Sequence, residues 1–525
     1  MSKPNPSPLK LLIGALTKAE KRHFKLYARR TFGDKDMKFL TLFDLLDKST
    51  EPSKKALESK LEGTKGSALS NLKSHLYEQL LISLRLLHHH DRSIRIDELV
   101  SFAKVLYIKG LYMQSLDQLK KAKVIASNYQ NDLALYRILE MERKIELFFV
   151  TESGYERAKD IVDANIVIRN SLHSQDQWSN LALMLYDYYL KFGHVKNQRQ
   201  FRKVAIYFKN EISLIEDNKV STHALVYRHM AYTWFHFITQ SFAICYKHAC
   251  AWVQEMSDHP HLLEDEPIMY LKGLHNMLSA LFYSNKPRQF DESYQILIDF
   301  LDKNEANFDA NTTITADTYR YIGGLNQRFL QGEFRKNEGL VDEITAWLKE
   351  NDHYLDQNRI QVFYYKIACL YFGAEDFKNT IRFLNKIIHT DSKENHLRQD
   401  VQCFARILNL VAHYELGNND LVEYQLKSTY RFLIKYGDLQ KVQRLIIDFI
   451  RKSVHMNQFE MTAPFAELKR ELLIIFDDPF ERRPLLYLDL ISWLSSRLDN
   501  IHVEDVIRKR QIERRGKAAD SSRKK

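Results

Sequence analysis

The 525-residue chain is short of the residues that bend a backbone, with sixteen Gly and ten Pro. Turns and hairpins consume those two residues, so a long chain this poor in them has few links and long elements, which favours helices. Cysteine is scarce as well. Cys245, Cys250, Cys369 and Cys403 form no CxxC pair and lie inside apolar helical patterns. A disulfide framework or zinc ribbon is therefore not expected, and buried, reduced thiols in a cytoplasmic protein are. No apolar run reaches the roughly 20 residues needed to span a bilayer. The amino terminus has a short apolar patch without a cleavage-site pattern, so neither membrane nor export is expected.

Catalytic signatures are missing too. There is no GxxxxGK[ST], and the glycines Gly63 and Gly66 lack the spacing that wraps phosphates. Gly323-Gly324 is not a dinucleotide fingerprint, and neither GxSxG nor HExxH occurs. His88-His89-His90 is the obvious metal suspect. Consecutive helical positions point about 100° apart, so these rings do not converge on one ion. His229 and His236 share a helix face but stand two turns apart, about 10 Å, too far to share a zinc. The expectation is a chain that is not an enzyme and needs no cofactor or metal.

What is present is ordinary globular composition, 45% apolar and 27% charged, in a chain too long for one compact core. The net charge of +10 is uneven: residues 1–90 carry +8 and residues 507–525 carry +7, which leaves −5 for the middle. Basic ends flank a mildly acidic body.

Along that body one pattern recurs. In Lys366–Ile388, Ala368 and Tyr371 close a helix, Gly373 opens a turn, Phe377 starts the next helix, and Leu384 and Ile387 continue its apolar face. In Ala103–Ile125 the matching places hold Gly110, Tyr112, Ser115, Leu119 and Ala122. Further members lie at Gly154-Tyr155, Gly193-Val195, Ser241, Phe290, Gly332-Glu333-Phe334 and Gly417 leading to Leu421. Marker positions 112, 155, 195, 241, 290, 334, 377 and 421 are separated by 43, 40, 46, 49, 44, 43 and 44 residues.

Glycine, an aromatic shortly after, a small residue three positions on and Ala or an apolar residue seven further resembles the turn of a tetratricopeptide (TPR) repeat. The match covers roughly residues 99–435. It departs from that family in its longer period and in lacking the proline at the repeat end, so the chain is TPR-like. The overall layout also resembles an uncharacterised bacterial family, which implies no function. The resemblance implies an all-α fold, a TPR-like α-solenoid of about eight helical hairpins, whose hairpins bury their faces by stacking. Most of the 28 Tyr and 30 Phe are then core residues filling the spaces between helices. It also implies a concave surface, lined by the first helix of each hairpin, that receives a protein or peptide partner. Polar or amphipathic residues placed there by register are Arg228, Tyr232, His236, Arg320, Gln327, Tyr365 and Lys366.

Residues 1–92 do not follow the repeat and read as a small, basic helical domain. Ser7-Pro8 and Thr17…Glu20 mark helix starts. A long helix after Gly66 carries Leu69, Leu72, Leu76, Leu80, Leu84 and Leu87 as its stripe. Lys65, Asn71 and Lys73 near its start fit either the recognition helix of a helix-turn-helix or the solvated face of a cap. Residues 93–438 hold the repeats, 439–506 hold capping helices, and 507–525 form a basic tail. Arg508, Lys509, Arg510, Arg514 and Arg515 in that tail could neutralise phosphates, or simply solubilise the end. Two functions from different classes remain: a protein-interaction scaffold, and a nucleic-acid-associated regulator using the basic ends.

Overall fold

The computed structural model describes residues 7–33, 37–48, 54–61, 64, 66–148, 155–215, 221–335, 338–389, 399–435, 440–456, 460–476, 478, 480, 489–510 and 512. Among them no strand occurs, and the fold is all-α. The chain divides into two compact units, Met1–Arg169 and Asn170–Lys525.

The first unit opens with α1 (Pro8–Ala15), α2 (Lys18–Phe32), α3 (Met37–Lys48), α4 (Lys54–Lys60) and α5 (Ser67–Leu87). Ser7 caps α1, and Thr17 with Glu20 forms a complete capping box on α2, so both starts read from the sequence are in place. Phe24, Phe39, Phe43, Leu69, Leu76 and Leu80 belong to one core. A separate core joins α6 (Arg92–Ile108), α7 (Tyr112–Asn128) and α8 (Asp132–Phe148). Here Ala103 and Ala122 are fully buried, and the Ser115 hydroxyl donates to the Ala103 carbonyl at 2.8 Å. Small residues at these places let two helices approach closely. A long helix, α9 (Tyr155–Phe192), contains the division between the units.

The second unit continues with α10 (Gln198–Leu214), α11 (Thr222–Ile238), α12 (Phe242–Ser257), α13 (Pro260–Asp265), α14 (Pro267–Tyr283), α15 (Pro287–Asn304), α16 (Ala310–Gln331), α17 (Glu338–Glu350), α18 (Gln357–Gly373), α19 (Phe377–Ile388), α20 (Gln399–Glu415) and α21 (Asn419–Lys435). It closes with α22 (Lys441–Ser453), α23 (Thr462–Phe476) and α24 (Leu490–Asp499), followed by helical residues 503–510. Sequential pairs such as α11/α12, α14/α15, α18/α19 and α20/α21 pack as hairpins, and α14 packs on α12 and α16.

The hairpins share one turn. Gly110, Gln130, Gln240, Asn285, Gly332, Glu375 and Gly417 adopt positive φ at the end of a helix. The N–H of the next residue then returns to the carbonyl five positions earlier. Leu111 bonds Leu106 (3.0 Å), Ser241 bonds His236 (2.8 Å), Lys286 bonds Leu281 (3.1 Å), Asp376 bonds Tyr371 (2.9 Å) and Asn418 bonds His413 (3.1 Å). This is the Schellman closure, which satisfies carbonyls that a helix end leaves without partners. From Gln240 to Gly417 the left-handed positions recur at intervals of 45, 47, 43 and 42 residues, close to the period of the sequence markers.

The structure amends one detail. Gly373 does not open the turn; it is the last residue of α18, and Glu375 takes the left-handed conformation. Gly373 serves a close approach instead. A Cβ there would stand 2.5–2.7 Å from ring atoms of Phe334, a separation that carbon atoms do not tolerate. The marker Gly154 lies outside the described residues.

Candidate binding cavity

α14 is buried nearly all round: Tyr270, Leu271, Gly273, Leu274, Met277, Leu278, Ala280 and Leu281 are all inside. The polar side chains of so apolar a helix need a space between helices to open onto. Lys272, His275, Asn276 and Ser279 follow one another at helical spacing, and they line such a space, a cavity of about 770 Å³ in the second unit. α16 contributes Thr318, Tyr319, Ile322, Asn326 and Phe329, and α18 contributes Arg359, Val362, Lys366 and Cys369, again at helical spacing. Tyr186 and Tyr189 of α9 and Trp234 of α11 add aromatic wall.

The charges are unbalanced. Among the described lining residues, Lys272, Arg359, Lys366 and Arg510 face Asp356 and Asp489, a surplus of two positive charges. Both carboxylates are occupied as helix caps: Asp356 accepts from the Arg359 N–H at 2.9 Å and Asp489 from the Ser492 N–H at 2.9 Å. Asp356 also approaches the Arg359 guanidinium at 3.7 Å, and Asp489 the Arg510 guanidinium at 3.9 Å. Lys272 has its ammonium 4.3 Å from the centre of the Tyr186 ring and 5.9 Å from that of Trp234. Burial and the neighbouring Arg359 charge both push its pKa below the usual lysine value, with no acidic group acting the other way. Lys366 donates to Asn326 Oδ1 at 2.6 Å and lies over Phe282 and Phe329.

His275 reports the same field. Its ring stacks on Tyr319 with centroids 4.2 Å apart and planes 12° apart. Burial, then the Arg359, Lys366 and Lys272 charges, push its pKa down to about 3, so it is neutral across the physiological range. It lies deep among protein atoms yet keeps accessible surface, because that surface faces the cavity. Cys369 has its pKa pushed up to about 12 by burial, so its thiol stays protonated and unreactive.

One wall comes from the end of the chain. Val503, Ile507 and Arg510 line the cavity. The helical segment 503–510 is held by Glu504, which is buried and accepts from the backbone N–H of both Phe334 and Arg335 at 3.1 Å. Glu375, the left-handed turn residue, accepts from the Val503 N–H at 3.4 Å and pairs with His502 at 2.9 Å.

Of the seven residues placed by register, only Tyr365 and Lys366 line this space. Arg320 pairs with Asp317 within α16 at 2.5 Å, and Gln327 donates to Asp291 of α15 at 2.8 Å. Arg228 lies 5.8 Å from the Trp178 ring centre, Tyr232 stacks on His248 at 4.6 Å, and His236 lies parallel to His248 at 5.7 Å. His248, which sequence reasoning missed, also approaches His229, Nδ1 to Nδ1, at 3.2 Å. Among the described residues no group of three His, Cys, Asp or Glu is placed to hold a metal.

At the basic ends, Asn71 is exposed and Lys73 half-buried on α5, and Arg508 and Lys509 are exposed. Arg510 is half-buried and donates to the Ser492 hydroxyl at 2.8 Å and the Ser495 hydroxyl at 3.1 Å. Lys65, Arg514 and Arg515 lie outside the described residues. Among those described, no helix is long and apolar enough to cross a membrane. Comparison of the chain with family models, with curated proteins and with solved structures found no match.

Proposed function

We propose that the chain is a non-catalytic interaction protein, a TPR-like α-solenoid whose cavity between α14, α16 and α18 receives a segment of a partner protein in the cytoplasm. The observation that carries this reading is the cavity itself: large, aromatic-walled and positively charged, in a chain whose hairpins repeat. Its volume of about 770 Å³ sits within the roughly 300–1,000 Å³ of sites that enclose a ligand. Its surplus of cations over carboxylates favours a segment with apolar side chains and net negative charge, since complementary charge steers and orients a partner.

The test is capture from native lysate by full-length protein and by the double variant Arg359→Glu, Lys366→Glu, with nuclease present and helicity checked by circular dichroism. Protein partners held by the wild type and by Gln327→Ala, whose site lies outside the cavity, are expected to be lost from the double variant. A folded double variant that retains the same partners refutes docking in the cavity.

A further inference from the structure

We infer that the α14 wall of the cavity, centred on Lys272, is an anion site that takes a carboxylate or phosphate carried on a flat aromatic body. The inference deepens the docking proposal and rests on it only for the source of the anion.

The geometry has three parts. First, Lys272 is half-buried on the cavity wall of α14, and among the described residues no carboxylate lies within ion-pair distance of it. An ammonium that has lost part of its hydration and gained no anionic partner is less favourable than one in water, and an anion arriving beside it relieves that. Second, Arg359 acts on the same space. It depresses both Lys272 and His275, and its carboxylate partner among the described residues, Asp356, is also used as a helix cap. Two cations on facing helices suit an oxyanion, which accepts several charge-assisted hydrogen bonds at once. Third, the surroundings are flat rings: Tyr186 and Trp234 beside Lys272, and the stacked pair His275–Tyr319 one turn further along α14. Parallel and edge-on aromatic contacts reward a planar guest over an aliphatic one of equal area. His275 is neutral here, so it neither repels a ring nor competes for the anion.

Two occupants share this chemistry, a free small aromatic anion and an aromatic–acidic pair within a partner segment. The test uses full-length protein and two dyes that differ by one charge. These are 8-anilinonaphthalene-1-sulfonate and its neutral parent N-phenyl-1-naphthylamine, each titrated by fluorescence. Lys272→Met should weaken the sulfonate dye by at least about tenfold, which is about 1.4 kcal/mol. It should leave the neutral dye within about twofold. Lys272→Arg should restore the sulfonate dye, and Arg228→Met, outside the cavity, should change neither. Equal loss of both dyes with Lys272→Met, or loss of neither, overturns the site.

Displacement of the sulfonate dye by phenylacetate or phenyl phosphate marks a free small anion. Displacement only by a short peptide containing adjacent Phe and Glu marks a partner segment. Displacement by none of these overturns the aromatic-anion assignment. Capture of partners and binding of dye are separate measurements, so loss of charge discrimination leaves the docking proposal standing, and unchanged capture by the charge-reversed variant leaves the anion site standing.

Discussion

Adding one methyl group at Gly373 should destabilise the second unit, and the reason is local. The new Cβ would meet Cγ, Cδ1 and Cε1 of Phe334 at 2.5–2.7 Å. Phe334 is 6% exposed, and its backbone N–H is fixed to Glu504, so the ring has neither room nor slack to retreat. Overpacking of this kind costs about 1–3 kcal/mol. Alanine regains about 0.5–1 kcal/mol over glycine within a helix, so the net loss is about 1–2 kcal/mol. Urea denaturation followed by circular dichroism reads it directly. The discriminating step is a double-mutant cycle with Phe334→Leu, which removes the ring. In that background Gly373→Ala should be neutral or mildly stabilising, because only the helix preference remains. An equal cost in both backgrounds would show that the ring is not the obstacle and would refute the reasoning.

Other expectations follow from the same geometry. Glu504→Ala leaves the N–H groups of Phe334 and Arg335 without their acceptor. It should cost about 1–3 kcal/mol, and amide exchange at 334, 335 and 503–510 should quicken; unchanged exchange would count against Glu504 as the pin. Gln130 is exposed and holds a left-handed conformation at φ 50°. Gln130→Gly should raise stability by several tenths of a kcal/mol, and Gly417→Ala, at φ 69°, should lower it by about 1 kcal/mol. A pH series tests the buried imidazoles. His229 and His236 have pKa values pushed down to about 4 and His275 to about 3, by burial first and by neighbouring His or cationic groups second. Below the ordinary value of 6.5 the unfolded chain binds protons at these histidines and the folded chain does not. Stability from these groups is therefore full above pH 6.5 and is lost as pH falls towards 4 and then 3. At pH 5 unfolding should take up roughly three protons at these residues. His236→Phe should flatten the slope of urea midpoint against pH, and an unchanged slope would contradict the buried neutral state.

How far the sequence reveals this architecture depends on which signals are local. Helix starts at Ser7 and Thr17 are legible because a cap and its partner lie within one turn. The hairpins at Gly110 and Gly417 are legible because glycine advertises a left-handed turn. At Gln240, Asn285 and Glu375 the period and the neighbouring markers place the hairpin, but not the left-handed residue itself, because none of the three is a glycine. The cavity divides along similar lines. Tyr365 and Lys366 sit beside the clearest repeat, so register places them. Lys272 and His275 sit in α14, where the surrounding apolar residues read as core and mask a polar stripe running through them. Its signal was there: Lys272, His275, Asn276 and Ser279 stand at helical spacing and mark one polar face on an otherwise apolar helix. Arg510 reads as tail charge because its partners, Ser492 and Ser495, are brought to it only by the folded chain.

The Glu504 contact also has a temporal meaning. Its acceptor atoms meet N–H groups 170 and 169 positions earlier in the chain. A ribosome makes the α14, α16 and α18 walls well before it makes residues 503–510. During that interval the cavity is open on one side and the N–H groups of Phe334 and Arg335 are met by water. The finished wall of the cavity is thus a property of the chain synthesised through residue 510. Shortening from the carboxyl end would alter this wall of the cavity before it altered the stack of hairpins.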